Sequence, residues 1–207
     1  MKRFTITQWC HERIKSMIVA PGYCIDATAG TGQDTVFLSS ILADGGEILA
    51  MDIQEIALEQ TGKRLEREGF LPEKGSCRKS LKREDRQQKV RLLLDGHEHM
   101  EAYAKPGSVD LILFNLGYLP GGDHQLATKA ETTICALKQA LSLLKEEGMI
   151  SMVIYSGGDS GFAEKDAVLS WLKELDSREY LVVAESFYNR PNNPPLPVFI
   201  KKFKGNQ

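Results

Sequence analysis

Acidic and glycine residues directly follow a short apolar run near the start of the chain, in a pattern suited to binding a small charged ligand. The segment D-A-T-A-G-T-G-Q-D occupies residues 26–34. Gly30 and Gly32 allow the backbone to turn tightly and to approach a ligand closely. The Asp26 carboxylate can accept hydrogen bonds from loop amides or from a ligand's ammonium group. The segment therefore predicts a ligand-binding turn, although a glycine turn needed only for packing would show the same pattern.

The spacing of the glycines distinguishes between nucleotide cofactors. A dinucleotide-binding turn reads G-x-G-x-x-G, and its third glycine is missing here. The segment is closer to the D-x-G-x-G-x-G loop of enzymes that use S-adenosylmethionine (SAM), with Thr28 in place of the first glycine. The pattern therefore favours SAM and disfavours an NAD-dependent oxidoreductase.

Two further acidic positions lie at the ends of later apolar runs. Asp52 ends a run about 20 residues after the glycine turn, where a carboxylate would bind ribose hydroxyls, although a lone Asp there more often caps the next helix. The segment D-G-H-E, residues 95–98, would lie beside the adenine, and His97 could instead orient a loop. The residues expected to contact the cofactor are Asp26, Thr28, Gly30, Gly32, Gln33, Asp34, Asp52, Gln54, Asp95, His97 and Asn115.

The reaction is predicted to take place at the segment N-L-G-Y-L-P-G-G-D-H, residues 115–124. Methyltransferases that act on nitrogen carry an [N/D]-P-P-[Y/F] tetrapeptide at this strand end, and Asn115 and Tyr118 match its first and last positions. The Asn115 side-chain oxygen and the Leu116 carbonyl can accept hydrogen bonds from an amine, and Tyr118 can stack on a flat base. Because only a neutral nitrogen attacks, Asp123 and His124 are candidate proton acceptors. The expected catalytic residues are Asn115, Tyr118 and Asp123; the alternative is a Gly/Pro loop with a packed Tyr.

Two later loops are expected to complete the substrate pocket. One reads Y-S-G-G-D-S-G at residues 155–161, and the other reads N-R-P-N-N-P-P-L-P at residues 189–197. Arg190 could contact a phosphate, and Asn192 or Asn193 could read a base edge. Either loop could also be only a structural connection. The expected substrate-binding residues are Tyr118, His124, Tyr155, Arg190, Asn192 and Asn193.

Short apolar runs alternate with longer helical patterns, and this alternation must position both sites. Strands are predicted at residues 23–26, 47–52, 90–94, 109–115, 149–155, 180–188 and 198–203, and helices at 6–19, 34–42, 56–68, 97–103, 128–144 and 164–175. Such alternation predicts a mainly parallel sheet covered on both faces. We expect an α/β, Rossmann-like class I methyltransferase fold, with a seven-stranded, mostly parallel sheet, an antiparallel last strand and helices on both faces.

Length and composition predict a single domain over residues 1–207, with 42% apolar and 26% charged residues. No apolar run is long enough to cross a membrane, and the first residues lack the apolar core of a signal peptide. We therefore expect a cytoplasmic protein without a membrane contact. Four cysteines without a C-x-x-C pair argue against a zinc site or a disulfide framework. His97 and His99 have no evident third ligand, so no metal is expected.

The charge is unevenly distributed along a chain whose formal net charge is only −2. Eleven Lys and Arg residues fall between Lys63 and Arg91, against five acidic residues. This stretch could attract phosphates, or it could be ordinary solvated surface. Residues 73–88 within it are interpreted as a basic inserted loop.

Four segments together resemble a known family. They read D-A-T-A-G-T-G-Q-D-T, D-G-H-E, N-L-G-Y-L-P-G-G-D and N-R-P-N-N-P-P, at residues 26–35, 95–98, 115–123 and 189–195. In these segments the chain is similar to the bacterial family labelled putative rRNA methylase, whose characterised members are tRNA 5-aminomethyl-2-thiouridine methyltransferases (MnmM). The resemblance implies SAM-dependent methylation of the aminomethyl nitrogen on the wobble uridine, giving 5-methylaminomethyl-2-thiouridine and S-adenosylhomocysteine (SAH). It also implies a tRNA anticodon stem-loop as partner and a homodimer.

Two features depart from the family pattern. The loop expected to read Y-x-G-H reads Y-S-G-G at residues 155–158, so any role of that histidine is absent, and the basic segment around residues 74–89 is longer than usual. The alternatives are an rRNA methyltransferase and a non-catalytic SAM- or RNA-binding partner protein. The combination of Asp26, Asp52 and Asn115 argues against the non-catalytic protein.

Overall fold

The structure, a computed structural model, describes residues 5–74, 88–117, 128–156 and 158–205. Helix α1, Ile6–Met17, begins with a capping box. The Thr5 hydroxyl accepts the Gln8 backbone amide, and the Gln8 side-chain oxygen accepts the Thr5 backbone amide. It ends two residues before the predicted Val19, because the backbone is extended at Ile18. The described helices are α1 Ile6–Met17, α2 Gln33–Ile41, α3 Glu55–Arg67, a 3₁₀ helix His97–Ala102, α4 Ala130–Leu143 and α5 Gly158–Leu172.

The described strands are β1 Tyr23–Asp26, β2 Glu47–Asp52, β3 Pro72–Lys74, β4 Lys89–Leu94, β5 Val109–Leu116, β6 Leu144–Ile154, β7 Tyr180–Ala184 and β8 Leu196–Lys202. They form one sheet in the order β3-β4-β2-β1-β5-β6-β8-β7. Strand β8 runs antiparallel to both of its neighbours, β6 and β7, and the remaining pairs are parallel. The Rossmann-like prediction with an antiparallel last strand is therefore confirmed.

The predicted count of seven strands is wrong, because the described residues contain an eighth, β3. Its three residues pair in parallel with Val90, Arg91 and Leu92 of β4. Pro72 begins it and charged residues follow, so it carries no apolar run that sequence reasoning would recognise. Its pairing comes from backbone hydrogen bonds to the open edge of β4. The predicted basic loop therefore begins with a strand, and its residues 75–87 lie outside the described part of the chain.

Three predicted boundaries also need correction. Strand β6 begins at Leu144 instead of Met149, since buried Leu144 already pairs with Val109 before an irregular step in the register. Strand β7 ends at Ala184 instead of Tyr188, where its register with β8 ends. Helix α5 begins at Gly158, six residues before the predicted Glu164, and ends at Leu172.

Helices cover both faces of the sheet, and the strand side chains alternate between them. Along β5, Ile112 and Phe114 pack under α4, α5 and the 3₁₀ helix, in a cluster with Leu137, Val168 and Met100. On the other face, Leu111 and Leu113 pack with residues of α1, α2 and α3, among them Ile14, Leu38 and Leu65. A sheet buried on both faces explains the near-continuous apolar runs of its central strands.

The strand order reverses at β1, which lies between β2 and β5. In open α/β sheets, ligands bind at the carboxyl ends of the strands beside such a reversal. The residues at these ends are Asp26 on β1, Asp52 on β2 and Asn115 on β5, with Asp95 just after β4. Among the described residues, no helix is both long and apolar enough to cross a membrane.

Candidate active site

The glycine turn after β1 is tied to both neighbouring strands. The Ala27 amide donates to the Leu113 carbonyl at 2.9 Å, and the Ala29 amide donates to the Met51 carbonyl at 2.8 Å. Gly32 has a φ of +79°, and a Cβ there would lie 2.7 Å from the Cα of Thr61 on α3. Glycine is therefore required at this position both by the backbone conformation and by the close approach of α3.

Asp26 lies beneath this turn and is fully buried. One carboxylate oxygen accepts the Thr35 hydroxyl at 2.6 Å, and the other accepts the Thr28 amide at 3.3 Å. Burial, followed by the charges of Asp34 and Asp52, raises the pKa of Asp26 to about 7. These contacts agree with the predicted position of Asp26 beneath the turn, where it accepts hydrogen bonds from the loop; its predicted contact with the cofactor stays a prediction.

Asp52 closes the same turn from the side of β2. Its two oxygens accept the backbone amides of Gly30 and Gln54, each at 2.9 Å, and burial raises its pKa. Each carboxylate oxygen has a second lone pair that a ribose hydroxyl could use. Two exposed apolar residues flank Asp52 along the chain and across the sheet: Ile53 follows it and is 57% exposed, and Leu94, its register partner on β4, is 53% exposed.

The Asp95 carboxylate, predicted to lie beside the adenine, forms hydrogen bonds with residues of its own segment. It accepts hydrogen bonds from the Gly96 amide at 2.8 Å, from His99 Nδ1 at 2.7 Å and from the Tyr103 hydroxyl at 2.6 Å. Desolvation opposes ionisation of Asp95, but the hydrogen bonds from Tyr103 and His99 outweigh it and lower its pKa. Asp95 therefore holds the 3₁₀ helix in place.

His97, in the same segment, is buried with one unsatisfied ring nitrogen. It packs edge-on against Phe114, with ring centroids 5.9 Å apart. Within the described part of the chain, its Nε2 has no hydrogen-bond partner. Burial lowers the pKa of His97 and so favours the neutral form of its ring. A buried polar atom without a partner is costly unless a ligand satisfies it, which makes His97 the better candidate for an adenine contact.

Asn115 is held at the end of β5 from two directions. Its backbone amide donates to the Thr28 hydroxyl, and its side-chain Nδ2 donates to Asp34 Oδ2, both at 2.7 Å. A carboxylate can only accept hydrogen bonds, so the amide nitrogen must face Asp34. The Asn115 side-chain oxygen is therefore turned away from Asp34 and can accept a hydrogen bond from an amine.

His11 completes this arrangement, although no sequence motif indicated it. Its Nε2 lies 2.6 Å from Asp34 Oδ1, and its ring stacks on Phe37 with centroids 3.7 Å apart and planes 5° apart. The sequence signal was weak, because His11 lies on α1, 23 residues before Asp34 and far from any strand end. The available signal was its spacing from Thr7, because polar residues four apart lie on the same face of a helix.

Tyr155 stands beside the same carboxylate. Desolvation and the charge of Asp34 raise the pKa of Tyr155, against a hydrogen bond with the Thr7 side chain. Its backbone amide donates to the Leu116 carbonyl at 2.9 Å. That carbonyl was expected to hold a substrate amine, but it already takes part in the sheet and has only one lone pair left.

Three other predicted substrate residues, Arg190, Asn192 and Asn193, belong to the connection between β7 and β8. The Arg190 guanidinium lies 4.9 Å from the centre of the Phe187 ring, and Phe187 packs edge-on against Trp9 of α1. Asn192 and Asn193 are exposed and have positive φ angles. Gln33, a predicted cofactor residue, is exposed at the start of α2.

Three predicted residues, Tyr118, Asp123 and His124, lie outside the described residues. The ends of their segment are joined, because the Thr128 amide donates to the Gly117 carbonyl at 3.0 Å. In the described part of the chain, no group of three or more His, Cys, Asp or Glu residues could hold a metal ion.

Comparison with known proteins identifies the family. Residues 48–201 match the family described as "Putative rRNA methylase". The chain is 33% identical over 202 residues to a chloroplastic tRNA (mnm(5)s(2)U34)-methyltransferase of Arabidopsis thaliana, covering 95% of this chain and 69% of that protein.

Two solved structures agree with this result. A crystal structure described as a putative rRNA-methylase from Clostridium thermocellum is 38% identical, with a TM-score of 0.84 over 98% of this chain and 100% of that one. A putative methyltransferase from Streptococcus mutans, solved in complex with SAH, is 33% identical, with a TM-score of 0.77 over 98% of this chain and 99% of that one. The chain therefore belongs to the rRNA methylase family and is a SAM-dependent RNA methyltransferase.

Proposed function

We propose that this protein methylates the aminomethyl nitrogen of 5-aminomethyl-2-thiouridine at the tRNA wobble position, giving 5-methylaminomethyl-2-thiouridine. The observation that carries the proposal is the orientation of Asn115. Its Nδ2 donates to Asp34, so its oxygen is presented as a hydrogen-bond acceptor at the end of β5. An acceptor at this place suits a nucleophile that carries N–H bonds, as an amine does.

The residues at the neighbouring strand ends fit SAM as the methyl donor. Asp52 would accept the ribose hydroxyls, Ile53 and Leu94 would cover the adenine, and the unsatisfied Nε2 of His97 would bond its polar edge. The glycine turn would lie against the remainder of the donor, since Gly30 and Gly32 present no side chain there. When bound, SAM supplies an electrophilic methyl group on a sulfonium.

The chain's own residues would prepare the amine for an in-line displacement. Asn115 would accept one amine N–H, leaving the nitrogen lone pair directed at the methyl carbon. As the new N–C bond forms, the S–C bond breaks and its electron pair stays on sulfur. The substrate amine must lose a proton before it attacks. The negative charge of Asp34 beside Asn115 would oppose this loss, because it stabilises the ammonium form. Asp123 and His124 therefore keep their predicted role as proton acceptors.

Recognition of the RNA would use the predicted substrate residues. Tyr118 would stack on the base, Tyr155 would border the amine, and Arg190 would contact a phosphate of the anticodon stem-loop. Asn192 and Asn193 are exposed on the same connection and would contact base edges. The similarity to a tRNA (mnm(5)s(2)U34)-methyltransferase supports the wobble uridine as the target. The cytoplasmic location, the homodimer and the absence of a metal stay predictions.

One alternative retains support. The matched family is described as an rRNA methylase, so an rRNA nucleotide is the second candidate substrate. Family membership sets aside the non-catalytic partner protein and the NAD-dependent oxidoreductase.

A competition assay separates the two substrates. Purified protein is incubated with labelled SAM and with equal amounts of tRNA and rRNA, both from cells lacking this enzyme. The proposal predicts that label enters tRNA, and that tRNA with an unmodified wobble uridine takes up none. Label in rRNA alone would replace the tRNA proposal by the rRNA proposal. As a control, Glu12→Gln changes an exposed acid and should behave as the wild type.

A further inference from the structure

His11 is fixed against the active site by two contacts on different sides of its ring. One ring face stacks on Phe37, with centroids 3.7 Å apart, and Nε2 lies 2.6 Å from Asp34 Oδ1. The side chains of His11 and Asp34 are only 14% and 13% exposed. Neither contact is needed by the glycine turn or by the ribose carboxylate, so cofactor binding does not explain why His11 is held here.

The two oxygens of Asp34 are shared between His11 and Asn115. Oδ1 faces the imidazole at 2.6 Å, and Oδ2 accepts Asn115 Nδ2 at 2.7 Å. This division prevents the carboxylate from turning about its own axis without losing one of the two bonds. The two ends of an Asn amide have nearly the same shape, so only hydrogen bonds determine which end faces a substrate.

We propose that His11 is a positioning residue that acts through Asp34 to keep the Asn115 amide in its reactive orientation. The inference rests on the proposed amine substrate. With the amide in this orientation, its oxygen accepts an amine N–H and the lone pair stays available. A flipped amide would present its NH₂ group, which would donate to the lone pair that must form the new bond.

A second set of contacts fixes α1 to the residue that follows β7. Trp9 and Arg13, four residues apart on the helix, both donate to the Glu185 carboxylate. His11 and Thr7 lie on the opposite face of the helix, which points to Asp34 and Tyr155. The family model matches residues 48–201, a range that does not include α1 or Asp34.

Paired substitutions at residue 11 separate the hydrogen bond from the packing. His11→Phe keeps a ring on Phe37 and removes the bond to Asp34, whereas His11→Gln keeps a donor and removes the ring. For His11→Phe we expect kcat to fall roughly 10- to 100-fold, the range for a hydrogen bond to a charged group, with the dissociation constant for SAM unchanged. His11→Gln should recover part of the loss. Glu12→Gln, at the exposed neighbouring position, should match the wild type.

A double-mutant cycle tests whether His11 acts through Asn115. Single-turnover rates are measured for His11→Phe in the wild type and in Asn115→Ala. If His11 orients the amide, the substitution has little further effect once the amide is gone. An equal loss in both backgrounds would show a general effect on α1 packing and would overturn the proposal.

A measurement without substrate keeps the test independent of the proposed reaction. The side-chain NH₂ signals of Asn115 in the SAH-bound protein are assigned by their loss in Asn115→Ala. We expect them to shift and broaden in His11→Phe and to return towards their wild-type positions in His11→Gln. Unchanged signals would refute the positioning role, while a wild-type protein inactive on aminomethyl-uridine tRNA would refute only the proposed function.

Discussion

The Asp52 carboxylate accepts the backbone amide of Gly30 at 2.9 Å and so joins the end of β2 to the glycine turn after β1. Its other oxygen accepts the Gln54 amide, also at 2.9 Å. A residue predicted as a ribose ligand from its spacing thus also shapes the turn against which the cofactor would lie. Loss of this side chain should affect both functions together.

Asp52→Ala should therefore weaken SAM binding before it affects any later step. We expect the dissociation constant measured by calorimetry to rise roughly 10- to 100-fold, because hydrogen bonds to a charged acceptor are lost. Glu55→Ala, which removes an exposed acid at the start of α3, serves as the control. An unchanged dissociation constant in a folded Asp52→Ala protein would count against Asp52 as the ribose ligand.

Asn115→Ala should have the opposite profile. Its side chain would hold the amine, so turnover should fall about 100-fold or more through lost positioning, while SAM affinity stays near that of the wild type. Steady-state kinetics with calorimetry on the same preparation measures both. If SAM affinity collapses and turnover at saturation survives, the division of roles between Asn115 and Asp52 is wrong.

Gly32 and Gly69 form a matched pair for testing the close approach of α3. Both have positive φ, but a Cβ at Gly32 would lie 2.7 Å from the Thr61 Cα, whereas nothing lies within 4 Å of one at Gly69. Gly69→Ala should lower the free energy of unfolding by about 1–2 kcal/mol through backbone strain. Gly32→Ala should cost about 2–5 kcal/mol, since overpacking adds to the strain. Equal losses in chemical denaturation would show that the contact with Thr61 relaxes freely.

The buried Asp26 carboxyl predicts a specific dependence of stability on pH. Its folded-state pKa is raised from 3.8 to about 7, so the folded protein holds this proton more tightly than the unfolded chain does. Its stabilising contribution is complete below pH 3.8 and is lost as the pH rises through about 7. Denaturation of the wild type and Asp26→Asn between these limits measures it. The difference in unfolding free energy between the two proteins should change across this range, and a constant difference would contradict the raised pKa.

Much of the fold follows from apolar patterning. The predicted limits of β1 and β2 agree with the structure at both ends, because each is a buried run bounded by turn residues or by a charged end. The placement of Asp26, Asp52 and Asn115 at adjacent strand ends also follows, since parallel strands bring their carboxyl ends to one edge. Strand β3 could not be predicted, because an edge strand of three residues depends on its neighbour's backbone and not on its own side chains.

The site was less predictable than the fold, because hydrogen-bond partners are set by tertiary structure. The position of Asp95 directly after a strand suggested a ligand contact, but its oxygens accept hydrogen bonds from Gly96, His99 and Tyr103. His11 had no motif at all, and only the packing of α1 on α2 brings it to Asp34.

The most direct test of the account is to locate the methyl group on the product nucleoside. Wild-type protein is incubated with SAM and with tRNA that carries 5-aminomethyl-2-thiouridine, and the digested nucleosides are fragmented by mass spectrometry. We expect one added methyl group, on the aminomethyl nitrogen. A methyl group on the ring or the ribose, or no product from a protein that binds SAM, would contradict it.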